Sequence, residues 1–196
     1  MNRFASHPAY LNGLPQTGQT TVYVAGDNGT NQTGVPHRYE VKNTGQYSGT
    51  VAIVLNGKTD THSNAVVIDH QFKLMYSQTL SASVGPTSNG LLSWTTNVNG
   101  EGVFTYAAAA NMALLAGHND WRVVNYFELV SQLIYQAPSA LPDSTAFPAF
   151  PSGVVPTTST TQATNTSNPM SKISNSGTDS VQAKTATFRV LLVRSV

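Results

Sequence analysis

Apolar and polar positions alternate over residues 38–56, the middle of the chain turns to three- and four-residue spacing, and the end is a nearly continuous apolar run. Arg38-Tyr39-Glu40-Val41 and Thr50-Val51-Ala52-Ile53-Val54-Leu55 alternate as antiparallel strands do. Asn43-Thr44-Gly45-Gln46 supplies a turn between them, and Asn56-Gly57 is a strong tight-turn signal after them. Ala65 to Asp69 and Lys73 to Tyr76 read as two more short strands around a His70-Gln71 corner. A helix is predicted over 105–116. Thr105 stands as its cap, Ala107 to Ala110 give it high propensity, and Gly117 stops it. Phe104, Ala108, Met112 and Leu115 fall on one face, which is expected to pack on the core. A second helix is predicted over 126–135, with Phe127, Val130 and Ile134 as its buried stripe, joined by Leu133. The nearly continuous apolar run in 185–194 predicts a closing strand inside a sheet.

The remaining segments lack either period. Residues 1–36 are punctuated by Gly and Pro and read as an irregular arm that packs on the domain or on neighbouring subunits. Within it Thr20 to Val24 suggests a short strand. Gly26-Asp27-Asn28-Gly29 reads as a turn, without the further carboxylates a calcium loop needs. Residues 81–100 are loop-rich and anchored by Leu91-Leu92-Ser93-Trp94. Residues 137–156 carry five prolines and are expected to lie extended over the core through Phe147 and Phe150. Residues 157–180 are almost wholly Thr, Ser, Asn, Gly and Gln, and are expected to form an exposed polar loop region of a single domain, 37–196.

The densest local logic lies in 117–133. Asn125 stands where a helix N-cap belongs and Glu128 follows three residues later, the spacing of a capping box. Val124 and Leu129 are placed as a hydrophobic staple. Asp120, Trp121 and Arg122 precede them as a structural motif, with Asp120 expected to cap or to pair locally with Arg122.

Composition narrows the function. The chain has 196 residues, 40% hydrophobic but only 10% charged, with a net charge of +1. A usual soluble domain is about one quarter charged. Neutral hydrogen-bonding surfaces of this kind suit closely packed extracellular assemblies, and the charge gives no nucleic-acid footprint. Cysteine is absent, which excludes disulfides, thiolate metal sites and cysteine nucleophiles. No apolar run reaches membrane-span length, and Met1 is followed by no apolar export segment. That combination is expected either of a fragment of a longer chain or of a protein that leaves the cell inside a virus particle, and Met1 favours the second. His118 and Asp120 are too few for a metal site, and no nucleophile elbow, phosphate loop or zincin motif appears, so no catalytic residue, metal or cofactor is expected.

The stretch Gly117-His118-Asn119-Asp120-Trp121-Arg122 leading into Glu128-Leu129 resembles the most specific motif of the Lcl C-terminal domain family, a C-type-lectin-like family of bacterial surface and bacteriophage proteins. Similar in order are Leu14-Pro15-Gln16-Thr17-Gly18-Gln19-Thr20, Lys73-Leu74-Met75-Tyr76, the alanine-rich helix at 106–116 and the Val193-Arg194 ending. The chain departs from the family at Val124, where Pro is common, and at Tyr76, where Trp is usual. A Trp is also missing before Thr157-Thr158-Ser159-Thr160-Thr161, and the family's usual cysteines are absent. The resemblance implies an α+β domain with two helices on a twisted antiparallel sheet, first and last strands adjacent, and a long exposed region between the second helix and the last strand. The calcium and sugar motifs of C-type lectins are absent, so calcium-dependent sugar binding is not implied. The formylglycine-generating enzymes that share the fold need cysteines, so that activity is not implied either.

Together these readings predict a non-catalytic bacteriophage virion protein of tail, fibre or capsid decoration. Its partners would be itself, other virion proteins and a host-surface glycan or protein, without nucleic-acid binding or membrane insertion. Asn165, Thr166, Ser167 and Asn168 are the candidate binding residues, serving either a host receptor or a neighbouring subunit. A bacterial surface adhesin domain and a variable binding protein of a diversity-generating element are the alternatives.

Overall fold

The computed structural model of the chain describes residues 21–31, 39–85, 88–95, 99–136, 139–148, 156–162, 165–172 and 179–196. A short helix α1 (Asn28–Asn31) is followed by β1 (Tyr39–Lys42), β2 (Thr50–Leu55), β3 (Lys58–Ser63), β4 (Val66–Asp69), β5 (Leu74–Ser77) and β6 (Leu92–Ser93). Then come α2 (Val103–Met112), β7 (Arg122–Val123), α3 (Tyr126–Ser131), β8 (Leu133–Gln136) and β9 (Ser139–Pro142). The chain closes with β10 (Pro156–Gln162), β11 (Asn165–Lys172), β12 (Asp179–Val181), β13 (Thr187–Val190) and β14 (Leu192–Ser195). The class is α+β, with few helices and mostly antiparallel pairing.

The central sheet has the order β1-β4-β5-β14-β7, antiparallel throughout. Successive residues of a strand face opposite sides, and both sides of this sheet are buried. Val66, Ile68, Met75, Leu192 and Val123 pack on one side with α2 and the β2–β3 hairpin. Val67, Tyr76, Val193 and Val124 pack on the other with Leu129, Ala146 and Phe147. Phe147 meets Tyr76 and Tyr39 edge-on, at 6.2 and 5.9 Å between ring centroids. The β2–β3 hairpin closes on Asn56-Gly57, both at positive φ (50° and 72°), the backbone a two-residue primed turn requires. A second sheet, β12-β11-β10-β13-β6, includes one parallel pair, β10 with β13.

The predicted strands at 38–41, 50–55, 65–69 and 73–76 are present within a residue or so. Other expectations are corrected. The first helix starts at Val103 with Gly102 as its cap residue, and the Thr105 hydroxyl donates to the Gly102 carbonyl at 2.9 Å. Its buried face is Val103, Tyr106, Ala107 and Ala110. Of the stripe expected to face the core, Phe104, Ala108 and Met112 are exposed and only Leu115 is buried. The alanine run makes the helix apolar on every side, so spacing alone could not choose a face. The choice falls on Tyr106, whose hydroxyl reaches buried Asp60 at 2.7 Å.

The second helix ends at Ser131. Residues 133–136 pair instead with β9, and Phe127 is exposed. The polar region 157–180 is not a plain loop, because it contains β10, β11 and the start of β12. Its threonines are good strand formers, and Thr157 and Thr158 are buried. The closing run is two strands in two sheets, with Leu191 as the crossing point. β14 lies between β5 and β7, and β1 is not beside it. Residues 21–24 are not a strand; Asp27 gathers the Tyr23 and Thr30 amides at 2.9 and 3.0 Å and starts α1. Phe150 and 14–20 lie outside the described residues.

Candidate functional site

The motif at 117–133 is a clamp built from local and distant bonds. Its capping box is formed in both directions. The Glu128 amide donates to Asn125 Oδ1 at 2.9 Å, and the Asn125 amide donates to Glu128 Oε2 at 2.8 Å. Val124 and Leu129 are buried in the same cluster, as a staple requires. Glu128 also reaches back to the strand, where both of its oxygens accept from the Arg122 guanidinium, at 2.5 and 2.7 Å. This fork-on-fork geometry raises the Arg122 pKa further.

Asp120 does not pair with Arg122 as expected. It takes Arg194 from the last strand, at 2.6 Å to Nε and 3.1 Å to Nη2, and that hydrogen-bonded partner holds its carboxyl below the usual range. Arg122 is drawn away because Glu128 sits one helical turn into α3 on its own side. Trp121 is buried, with its indole N–H donating to the Leu115 carbonyl at 2.8 Å. Asn111 of α2 pairs with the Trp121 backbone as a strand neighbour would, accepting from its amide at 2.7 Å and donating to its carbonyl at 2.9 Å. Sequence reading missed Asn111 and the pairing of Arg194 with Asp120. The signal for Asn111 was a lone amide in an otherwise apolar helix segment. His118, intermediate in exposure, is kept neutral to lower pH by burial and then by the Arg194 charge.

The clamp also holds the polar region. The Ser159 amide donates to the Val124 carbonyl at 2.8 Å, and Thr160 Oγ1 accepts from the Tyr126 amide at 3.1 Å. The Trp94 indole N–H donates to the Thr158 carbonyl at 2.8 Å. The root of β10 is thereby fixed to the motif and to the parallel partner β13. From this root β10 and β11 form a hairpin whose last described pair is Gln162 with Asn165, and β12 extends it at Met170 to Lys172. The backbone of Asn165, Thr166, Ser167 and Asn168 thus occupies the first half of β11, which runs beside α3. The described bonds tie the motif to β10, not to these four residues.

Elsewhere the exposed His70 Nε2 and Glu40 Oε2 lie 2.9 Å apart, and Lys58 pairs with buried Glu101 at 2.9 Å. Asp60 and His62 of β3 are both buried beneath α2. Asp60 accepts from Tyr106 at 2.7 Å and from the Ala82 amide at 3.2 Å. Burial holds His62 neutral and pushes the Tyr106 hydroxyl far up. Among the described residues no three His, Cys, Asp or Glu side chains gather as metal ligands, and no helix is long and apolar enough to cross a membrane.

A family model, that of the Lcl C-terminal domain, matches residues 65–194. The match runs from the lead into β4 to Arg194 and includes both the clamp and the hairpin. No curated protein and no solved structure matches the chain.

Proposed function

The chain belongs to the Lcl C-terminal domain family, and from that premise we propose that it is a non-catalytic virion component of a bacteriophage, of tail, fibre or capsid decoration. In this reading its fold is C-type-lectin-like and its hairpin contacts the host surface. The observation that carries the reading is the β10–β11 hairpin, whose root is fastened by the family motif. A fixed root lowers the ordering cost of binding.

The hairpin sequence from Pro156 to Lys172 bears Thr, Ser, Asn and Gln and a single charged residue, Lys172. Such side chains match the donors and acceptors of sugar hydroxyls, and contacts of this kind resist salt screening. Asn165, Thr166, Ser167 and Asn168 are the proposed contact positions. Many copies on one particle raise a weak single-site affinity by avidity. Binding is independent of calcium, since the residues that would hold the ion are absent from the sequence.

Mass spectrometry of purified particles tests the reading. The chain is expected in stoichiometric amounts with the structural proteins. Absence from washed particles would contradict it.

A further inference from the structure

Phe127 is the most exposed aromatic side chain among the described residues, at 78%. Sequence spacing assigns it to the core, yet Val124 and Leu129 fill the core there without it. Single exposed apolar side chains are ordinary on protein surfaces. Phe127 differs in being held. It is the second residue of α3, whose first turn is fixed by the reciprocal Asn125–Glu128 cap. The Tyr126 ring meets it edge-on, with centroids 5.6 Å apart and an interplanar angle of 74°. The Tyr126 amide donates to Thr160 Oγ1 of β10, so the aromatic pair stands on the same root that carries the hairpin. With that much of the residue in solvent, at least one face of the Phe127 ring is open.

We infer that Phe127 is the stacking platform for a neutral sugar ring whose hydroxyls are met by the hairpin. The inference rests on the host-surface contact in the proposed function and names its ligand class and a further binding residue. The surroundings of the ring decide between occupants. A protein or lipid partner would be matched by an apolar patch, but among the described residues of β7, α3 and β10 no other large apolar side chain is exposed. Ser159 is exposed instead, and Thr160 and Thr161 are partly so. A pyranose has the same mixture. One face carries C–H groups, which the negative face of an aromatic ring attracts, and its rim carries hydroxyls, which hydroxyl and amide side chains bond. The hairpin sequence has Lys172 as its single charged residue, which favours a neutral sugar over an acidic one. The fixed position of the ring lowers the ordering cost of binding.

The test is binding of the purified chain, displayed in many copies on beads to supply avidity, to an array of neutral oligosaccharides. The unaltered chain is expected to bind at least one of them. Phe127→Ala and Phe127→Leu, the second apolar but without a ring face, are each expected to lose about tenfold or more in affinity. Phe127→Tyr keeps the ring and is expected to bind as the unaltered chain does. All three variants are expected to keep the urea midpoint. An array with no oligosaccharide bound by the unaltered chain would overturn the inference, and so would binding that survives Phe127→Ala or Phe127→Leu. A Phe127→Ala protein that binds sugar normally but no longer enters particles would make the ring a subunit contact and overturn it too. A chain found in particles that binds no sugar would refute this inference alone. A chain that binds sugar through Phe127 yet is absent from particles would refute the virion reading alone.

Discussion

At the scale of single residues, the clamp separates bonds that matter from bonds that decorate. Asn125→Ala removes a cap whose geometry is complete and is expected to cost about 1 kcal/mol in urea unfolding. Asn111→Ala leaves the Trp121 amide and carbonyl without their side-chain partner, and is expected to cost about 2 kcal/mol. Asp120→Asn weakens a half-exposed ion pair and is expected to change stability by less than about 1 kcal/mol. The capping box was legible because its partners lie three positions apart. The Asp120 partner was not, because Arg194 is 74 positions away and only the sheet brings it near.

The pH dependence also belongs to a residue. Burial holds His62 neutral in the fold to below its ordinary value of 6.5. The unfolded chain then binds the extra proton first, so stability is full above 6.5 and falls as pH drops below it. Urea midpoints are expected to decline from pH 7 to pH 5.5, and His62→Gln to flatten that decline. An unchanged slope in the variant would assign the effect elsewhere.

At the scale of elements, strands were easier to read than helix faces. Alternation in 50–55 and the Asn56-Gly57 turn are local facts, and β2 and its turn follow from them. Lys58-Thr59-Asp60-Thr61-His62-Ser63 hides β3, because its buried positions are Asp60 and His62 and no apolar pattern marks them. Tyr106 is the neighbour that lets Asp60 stay in the core. Tyr106→Phe is therefore expected to cost about 2 kcal/mol, since it takes the hydroxyl from a buried carboxylate. Met112→Ser, at an exposed position of the same helix, is expected to stay within about 0.5 kcal/mol. Equal losses would mean that the helix is turned the other way. The polar region was misread for a related reason: composition reports hydropathy, whereas Thr157 to Thr161 are set by strand propensity and by a parallel neighbour far away in sequence.

At the scale of the whole molecule, β13 and β14 join the parts. One continuous run of residues enters both sheets, so the sheet that carries the hairpin is tied through Leu191 to the sheet that carries the family motif. The family was legible because its motif is compact in sequence and sits at this junction. The proposed contact positions were legible only as a composition, since no folding constraint marks Asn165 to Asn168 in the sequence. In the proposed reading the clamp and core support the hairpin, and the hairpin meets the host. The measurement that tests this most directly is binding of the purified, labelled chain to host cells, with and without alanine at Asn165, Thr166, Ser167 and Asn168 together. The fourfold variant is expected to keep its stability within about 1 kcal/mol and to lose at least tenfold in cell binding, with calcium chelation changing neither protein. Undiminished binding by a folded variant would contradict a hairpin built for host contact.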